Sequence, residues 1–392
     1  MAPVEITVYS KRTEYLSGLY AGLFELCAAG EVALDFSRQR PSPAYDTTPA
    51  VLRIAVTESG RRIEVCFDTE DWRRIASPED LRTADVYFKR GYHAPFVARL
   101  DPDLRRKVAP MGLQYACSSR KESWLQSLRD VAAMQIASDV FRDAPLKALK
   151  HVAALPVRRA LKATGVYRPL HLPMYIDEFE LSPEVPAEPK IYYRTRVYGP
   201  DDAPENFGLG RMAEVNDLRA NTVRALRAHF GERFIGGLRH SEHARRTYPD
   251  CLYAGEPGRY RHVALTKECL VAVNTAGLHD STSWKMAEYL ASSRCIVSER
   301  PFYACASPLV EGKHYLPFSR PEECVAACER LLDEPDTARA MRVESFAYYA
   351  AHVRPEQVVR NCLRAAFERT AAAANYERPV DEALLLDAAR NA

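Results

Sequence analysis

The strongest constraint on the fold is an order of elements that occurs twice along the chain, in which short β-rich runs alternate with helical patterns. At the start, a run at 4–9 is followed by a helical pattern over 14–29 and by a second run at 32–36. A strand, a helix and another strand in this order favour a parallel sheet. The sequence therefore predicts an α/β fold.

More strands are predicted in the first half of the chain. The runs at 51–56 and 62–67 are separated by Glu-Ser-Gly, which is typical of a hairpin. Two further runs, at 85–89 and 108–113, indicate additional strands of the same sheet. A long helical pattern over 122–165 follows them.

A segment rich in proline and glutamate, LSPEVPAEPK at 181–190, predicts a linker between two domains. The alternating pattern then starts again. The strands are predicted at 191–194, 234–236, 270–274 and 295–298, and the helices at 215–230, 283–292, 321–332, 337–352 and 355–373. The resulting division is an N-terminal domain over 1–180, a C-terminal domain over 188–353, a last helix over 354–375 and a flexible tail over 376–392.

Composition excludes several classes of protein. The chain has 392 residues, enough for two or three domains, and its 54 Lys and Arg against 52 Asp and Glu give a net charge of +2. Nucleic-acid binding over a broad face needs a larger positive excess, so we expect no nucleic-acid partner. The chain starts without an apolar leader and has no apolar stretch of membrane-spanning length. Its ten scattered cysteines then indicate reduced thiols and a cytoplasmic location.

The most informative motif lies at 272–299, AVNTAGLHDSTSWKMAEYLASSRCIVSE. A buried strand ends at Asn274, a loop containing Gly277 follows, and three hydroxyl side chains then open a helix: Ser281, Thr282 and Ser283. Such a helix start combines unpaired backbone N–H groups with the positive end of the helix dipole, which suits a phosphate. Alternatively, these residues are ordinary helix caps.

The segment WKMAEYLASSRCIVSE, followed by the run from EGKHYLPFSRPEECVAAC to RPEQVV, resembles the C-terminal half of group-one, family 4-like retaining glycosyltransferases and their spore-protein-like relatives. The resemblance covers about 190–369. It implies the GT-B fold, in which two Rossmann-like domains face each other across a cleft. It also implies that the nucleotide-sugar donor binds the C-terminal domain, that the acceptor enters from the N-terminal one, and that the last helix crosses back to the N-terminal domain.

The resemblance assigns roles to two acids. That family often has Glu-x7-Glu, in which the first acid contacts the donor sugar and the second binds the ribose hydroxyls. Glu288 matches the second acid. Asp280 stands at the first position, one methylene shorter and next to an unusual His279. Asp280 is alternatively a simple helix-start acid.

A diphosphate also needs cations. The family usually has an Arg just after the first strand of its C-terminal domain, and Arg196 matches it best, with Arg194 as its neighbour. The family's further Lys is missing here, and Lys285, one helical turn before Glu288, is the predicted substitute. Alternatively, both arginines point outward from a strand end.

In the first half, a strand at 85–89 runs into a basic, aromatic loop. Loops at the carboxyl ends of parallel strands face the crevice, so the loop supplies candidates for acceptor or phosphate contacts: Lys89, Arg90, Tyr92 and His93. The acidic run 68–71 resembles a metal motif, although a helix cap is the favoured interpretation. We therefore expect no bound metal.

A basic amphipathic stretch at 147–162 allows two interpretations. It is either a solvated face over a core stripe or a segment that rests on anionic lipid at the membrane surface. Taken together, the sequence predicts a metal-independent, retaining glycosyltransferase whose nucleotide-sugar donor is a substrate, with no further cofactor. The alternatives are a nucleotide-sugar epimerase and a catalytically inactive scaffold in surface-polysaccharide assembly.

Overall fold

The computed structural model describes residues 3–10, 12–36, 50–122, 174–202, 209–255 and 258–376. These residues form two β-sheets flanked by helices, so the predicted α/β fold class is confirmed. The helical pattern predicted beyond residue 122, the basic stretch 147–162 and the tail beyond residue 376 lie outside the described residues.

The first sheet is mixed and has the strand order β2-β1-β3-β4-β5-β6. Its strands are β1 (Val4–Val8), β2 (Val32–Asp35), β3 (Val51–Glu58), β4 (Arg61–Asp68), β5 (Val86–Lys89) and β6 (Val108–Pro110). As predicted, β1 and β2 are parallel around helix α1 (Ser17–Ala28), and β3 and β4 form an antiparallel hairpin. The last strand is shorter than the predicted run 108–113.

Three short helices that sequence periodicity does not predict follow in the first domain: α2 (Pro78–Thr83), α3 (Ala94–Val97) and α4 (Pro102–Lys107). Each has a proline in its first two positions, where the missing N–H costs nothing. Side-chain caps start two of them, because Ser77 accepts from the N–H of Asp80 and Asp101 from that of Asp103. Helices of four to six residues are too short to show a hydrophobic period.

The second sheet is entirely parallel and has the order β11-β10-β9-β7-β8. Its strands are β7 (Glu188–Thr195), β8 (Phe234–Leu238), β9 (Cys269–Asn274), β10 (Cys295–Ser298) and β11 (Leu316–Pro317). The helices that precede or accompany it are α5 (Ile176–Phe179), α6 (Leu209–Phe230), α7 (Glu242–Thr247), α8 (Arg259–Glu268), α9 (Trp284–Ala291), α10 (Pro321–Asp333) and α11 (Pro335–Tyr348). The predicted linker is shortened by three residues, because β7 already begins at Glu188.

The last helix, α12 (Pro355–Tyr376), packs on α1 in the core of the first sheet. Its buried apolar side chains, such as Val359 and Leu363, join the same core as Leu19 and Leu23. Gly22 allows the close approach, since a Cβ there would lie 2.3 Å from the carbonyl oxygen of Pro355. The chain therefore passes between the two sheets twice, which is the GT-B arrangement of two domains.

The two crossings are joined by a partly buried hydrogen-bond network. The hydroxyl of Tyr349, after α11, lies 2.8 Å from that of Tyr115 and donates to Glu180 at 2.9 Å. Arg354 donates to the same Glu180 oxygen at 2.7 Å. Because Glu180 precedes β7 and Arg354 precedes α12, one carboxylate ties both crossings together.

Candidate functional site

The candidate site lies where the strands β7 and β9 end and α9 begins. The loop 275–283 is folded back on itself at this edge of the sheet. The N–H of Gly277 donates to the carbonyl of Ser281 at 2.8 Å, and Asp280 adopts a left-handed φ of 58°. A Cβ on Gly277 would lie 2.3 Å from the Ser281 hydroxyl oxygen, so a larger residue there would require the Ser281 side chain to rotate. The carboxyl edge of a parallel sheet is the usual place for a ligand.

The three predicted hydroxyl groups differ in their surroundings. Ser283 precedes α9 but does not cap it, because its hydroxyl donates to the side chain of Asn274 at 2.5 Å. Ser281 is buried. The hydroxyl oxygen of Thr282 is buried and has no hydrogen-bond partner among the described residues. Thr282 is therefore the hydroxyl best placed for an additional partner.

Four cationic side chains converge on this edge. Arg194 is half-buried in β7, and Arg196, just beyond its end, is exposed. The ammonium of Lys285 donates to the carbonyl of Arg194 at 2.8 Å. Arg219 of α6 donates to the carbonyl of Arg196 at 2.6 Å. We call these four residues the cationic cluster.

The cluster destabilises the charged form of its lysine. Burial lowers the pKa of Lys285 to about 7, and the positive charges of Arg219, Arg194 and Arg196 add to this effect. The carboxylate of Glu288 opposes it. An anion bound beside Lys285 and the three arginines would stabilise the protonated form of the lysine.

Glu288 lies in the middle of α9 and is almost completely buried. Arg259 forks onto both of its oxygens, at 2.6 and 3.1 Å, and Nε2 of His262 lies 3.1 Å from one of them. Burial raises the pKa of Glu288, but Arg259 and His262 outweigh it and bring the value to about 2. The predicted ribose acid is therefore ionised and already held by protein donors.

The residues behind Glu288 fix its orientation. The hydroxyl of Tyr192, in β7, lies 2.8 Å from Nδ1 of His262. Burial lowers the pKa of His262, while Glu288 raises it. A neutral ring with its proton on Nε2 accepts from Tyr192 and donates to Glu288, which satisfies both nitrogens. Among the residues of this network, Arg259 at the start of α8 is the one whose side chain is partly exposed to solvent.

Asp280 and His279, which precede Glu288 in the predicted motif, have partners as well. Asp280 accepts a hydrogen bond of 2.5 Å from Arg211 of α6. The ring of His279 stacks on Trp72 of the first domain, with centroids 4.8 Å apart and an angle of 16°. The loop before α9 is thus held from both domains.

The prediction that Lys89 contacts an acceptor is wrong. Its side chain is fully buried and donates to Asp68 and to the carbonyl of Glu70, at 3.0 Å each. Asp68 is also fully buried, and it accepts from the hydroxyl of Tyr87 at 2.8 Å. A buried ion pair of this kind is part of the core, because exposing either charge would require the fold to open.

The acidic run 68–71 has a structural role that differs from both sequence interpretations. Asp68 accepts from the N–H groups of Glu70 and Ala76 at 3.0 Å and so shapes the turn before α2, whereas the cap of α2 is Ser77. Among the described residues, no group of three His, Cys, Asp or Glu side chains could hold a metal ion.

The remaining residues of the predicted acceptor loop contact the second domain. Arg90 donates to Asp71 and, at 2.7 Å, to the carbonyl of Thr282. His93 stacks on Phe302 with centroids 5.0 Å apart, and the carbonyl of Tyr92 accepts from the N–H of Ala304 at 3.0 Å. This loop therefore faces the cleft between the domains.

A narrow, partly enclosed cleft lies beside these contacts. One wall comes from the first domain and the other from the loop before α9 and the segment after β10. The lining residues are Asp71, Arg90, Gly91, Gly112, Leu113, Ser281, Thr282, Tyr303 and Cys305. Thr282, whose hydroxyl oxygen is buried without a partner among the described residues, is thus one of the residues that line this cleft.

Sequence reasoning missed Arg219, Arg259 and His262. Arg219 carried a detectable signal, since it lies one helical turn before Val223 on the buried face of α6, where an arginine is unusual. Arg259 and His262 carried none, because nothing local distinguishes them from surface residues of a helix.

Comparison with known proteins gives one sequence match. Residues 219–382 match the model of a family described as glycosyl transferase-like. No curated protein sequence matches the chain. The matched residues include Arg219, Lys285 and Glu288.

Several solved structures are distantly similar. The C-terminal domain of a glycosyl transferase group 1 family protein from Francisella tularensis is 7% identical, with 43% of this chain and 87% of that chain covered and a TM-score of 0.28. A UDP-GlcNAc 2-epimerase from Neisseria meningitidis is 11% identical, with 91% and 76% covered and a TM-score of 0.34. Sucrose-phosphate synthase from Thermosynechococcus elongatus is 13% identical, with 93% and 96% covered and a TM-score of 0.36. Similarities of this size do not extend to function.

No helix in the described ranges combines the length and apolar character that crossing a membrane requires.

Proposed function

We propose that the protein is a glycosyltransferase that moves a sugar from a nucleotide-sugar donor to an acceptor bound in the cleft between the domains. The observation that carries this proposal is the cationic cluster within and beside the glycosyl transferase-like domain. Arg194, Arg196, Arg219 and Lys285 meet at the carboxyl ends of parallel strands and at a helix start. This combination suits the diphosphate of a donor.

The charges near the cluster support an anionic ligand. Glu288 is paired with Arg259 and His262, and it is one carboxylate beside the four cations of the cluster. Glu299 accepts from the N–H of Ala276 at 2.8 Å, and burial raises its pKa. A diphosphate would supply the missing negative charge. In the reaction, Arg196 and Lys285 would stabilise the charge that develops as the diphosphate leaves.

We assign the ribose to Glu288 and the outer end of Arg259. A carboxylate oxygen has two lone pairs, so Glu288 is able to accept from a ribose hydroxyl while it keeps its protein donors. The partly exposed Arg259 is the side chain that would move to admit the ribose. Asp280, Gly277 and His279, in the turn before α9, are proposed to face the donor sugar.

The acceptor is proposed to enter the cleft from the first domain. Arg90, Tyr92 and His93 bring that domain against the second one, and Thr282, whose hydroxyl has no partner in the described part of the chain, lines the cleft. No metal ion or further cofactor is invoked. Retention of the anomeric configuration is proposed from the family resemblance alone.

Incubation with a panel of nucleotide sugars, with and without candidate sugar and lipid-linked acceptors, tests the proposal. We expect release of free nucleotide that depends on an acceptor. Isomerisation of the donor sugar without an acceptor would identify an epimerase, and binding without turnover would identify a scaffold. Vesicles of anionic lipid added to the same assay test whether the stretch 147–162 contacts a membrane.

A further inference from the structure

Arg219 joins the ends of two strands of the second sheet. It is 3% exposed and comes from α6, which packs along that sheet. One terminal nitrogen donates to the carbonyl of Arg196, after β7, at 2.6 Å, and the other to the carbonyl of Ala276, after β9, at 2.5 Å. A planar guanidinium is able to bridge two acceptors in fixed directions, which a lysine ammonium at the same place is not.

The contacts of Arg219 leave part of its binding capacity unused. Its Nε–H is buried and has no acceptor among the described residues. Its guanidinium lies 4.9 Å from the ring centroid of Tyr198, and that of Arg196 lies 4.7 Å from the same centroid. Burial raises the pKa of Tyr198, but the two arginines outweigh this and lower it. Two cations therefore share one tyrosine ring.

Arg219 is also the cation that acts most strongly on Lys285. The charged and titratable groups that face Lys285 come from four elements. Arg194 and Arg196 belong to β7 and its end, Arg219 to α6, His262 to α8, and Glu288 to α9. The one carboxylate among them is engaged by Arg259 and His262. The lysine is consequently surrounded by a positive excess.

We propose that Arg219 is a positioning residue of the cationic cluster, which bridges the two strand ends and makes diphosphate binding depend on uptake of a proton by Lys285. This inference rests on the proposed function, because the anion is taken to be the donor diphosphate. In the free protein at pH 8, Lys285 is largely neutral. An anion in the cluster offsets the charges of the arginines, and Lys285 then binds a proton from solvent.

Isothermal titration calorimetry measures this proton directly. The probes are UDP, GDP, ADP and dTDP, titrated at pH 8 in buffers with different enthalpies of ionisation. The slope of the observed enthalpy against the ionisation enthalpy gives the number of protons taken up. We expect close to one proton for the wild-type protein and almost none for Lys285→Met.

Two variants separate the charge of Arg219 from its bridge. Arg219→Met removes the charge, so Lys285 gains its proton before the ligand arrives. We expect proton uptake at pH 8 to fall to about half or less, which corresponds to a pKa rise of about one unit. Arg219→Lys keeps the charge and loses the bridge, so uptake stays near one proton while the affinity falls by about tenfold. The matched control is Arg224→Met on the same helix, where the arginine is exposed and paired with Asp250.

The outcomes distinguish a failure of the proposed donor site from a failure of the role proposed for Arg219. If none of the four nucleotides binds, the proposed donor site falls and this inference falls with it. If a nucleotide binds the wild type without proton uptake, or if Arg219→Met leaves the uptake unchanged, only the role of Arg219 is overturned. If urea unfolding shows that Arg219→Met does not fold, Arg219→Lys decides, because a wild-type affinity in that variant would overturn the bridging role of Arg219.

Discussion

The guanidinium of Arg90 donates a hydrogen bond of 2.7 Å to the backbone carbonyl of Thr282. Arg90 follows β5 of the first sheet, whereas Thr282 belongs to the loop that leads into α9 beside the second sheet. The candidate donor loop is therefore held in part by the other domain. The geometry of the site therefore depends on how the two domains are placed relative to each other.

Arg90→Lys is expected to lower turnover by about 10- to 100-fold, because a hydrogen bond from a charged donor is worth about 1.5–3 kcal/mol. A lysine is not able to reach Asp71 and Thr282 together. Donor affinity in the absence of acceptor should change little, since Arg90 touches the loop only through a backbone carbonyl. Steady-state kinetics and calorimetry measure the two quantities. Arg106→Lys, at an exposed pair with Asp103, is the control. Equal losses in donor affinity and turnover would contradict this division.

Lys89→Met should destabilise the protein by about 3–5 kcal/mol, because it leaves the buried carboxylate of Asp68 without its cation. The double variant Asp68→Asn/Lys89→Met should recover part of this loss, since no buried charge then remains. Urea unfolding measures both free energies. A stable Lys89→Met protein with weakened acceptor binding would restore the role that the sequence suggested.

Glu288→Gln is expected to weaken both nucleotide binding and stability. The carboxylate has a pKa of about 2 in the folded protein against a normal value near 4.5. Its stabilising effect is therefore present above pH 4.5 and is lost as the pH falls from 4.5 towards 2, and it amounts to about 3 kcal/mol. The difference in unfolding free energy between the two proteins should be constant above about pH 5 and should shrink as the pH falls to 3. A variant with unchanged stability at pH 7 would contradict the buried network.

Lys285→Met should remove a pH dependence of the same sign as that of Glu288, but in a higher pH range. Because the folded pKa of about 7 lies below the normal 10.5, the unfolded chain binds more protons between these values. Wild-type stability therefore gains from Lys285 as the pH rises from 7 to 10.5, and the variant should lack this gain. Turnover should fall by about 100-fold if the lysine stabilises developing charge. Parallel stability profiles of the two proteins would show that Lys285 is not held neutral.

Activity is expected to survive EDTA. Asp68, the first acid of the run 68–71, has its oxygens engaged by Lys89, Tyr87 and two backbone N–H groups. It is consequently a poor ligand for a hard cation, which prefers several free oxygens. Turnover abolished by EDTA and restored by magnesium or manganese would refute the metal-independent mechanism.

Much of the fold could be predicted from the sequence. The strand-helix-strand opening, the hairpin of β3 and β4, the strand β10 and the helices α9 and α10 all follow from local periodicity and turn residues. The buried run CIVS was predicted to the residue as β10. Local patterns suffice here because each element must bury one stripe or face, whatever it packs against.

The partners of the polar side chains were decided only by the tertiary structure. Lys89 looked like a surface lysine in a basic loop, yet Asp68, on the neighbouring strand β4, draws it into the core. Arg219 and Lys285 are 66 positions apart and meet because α6 and α9 both approach the ends of parallel strands. Spacing along the chain determines which residues share a helix face. Which charges then share a buried volume depends on how the sheets and helices pack, because charge interactions act through space rather than along the chain.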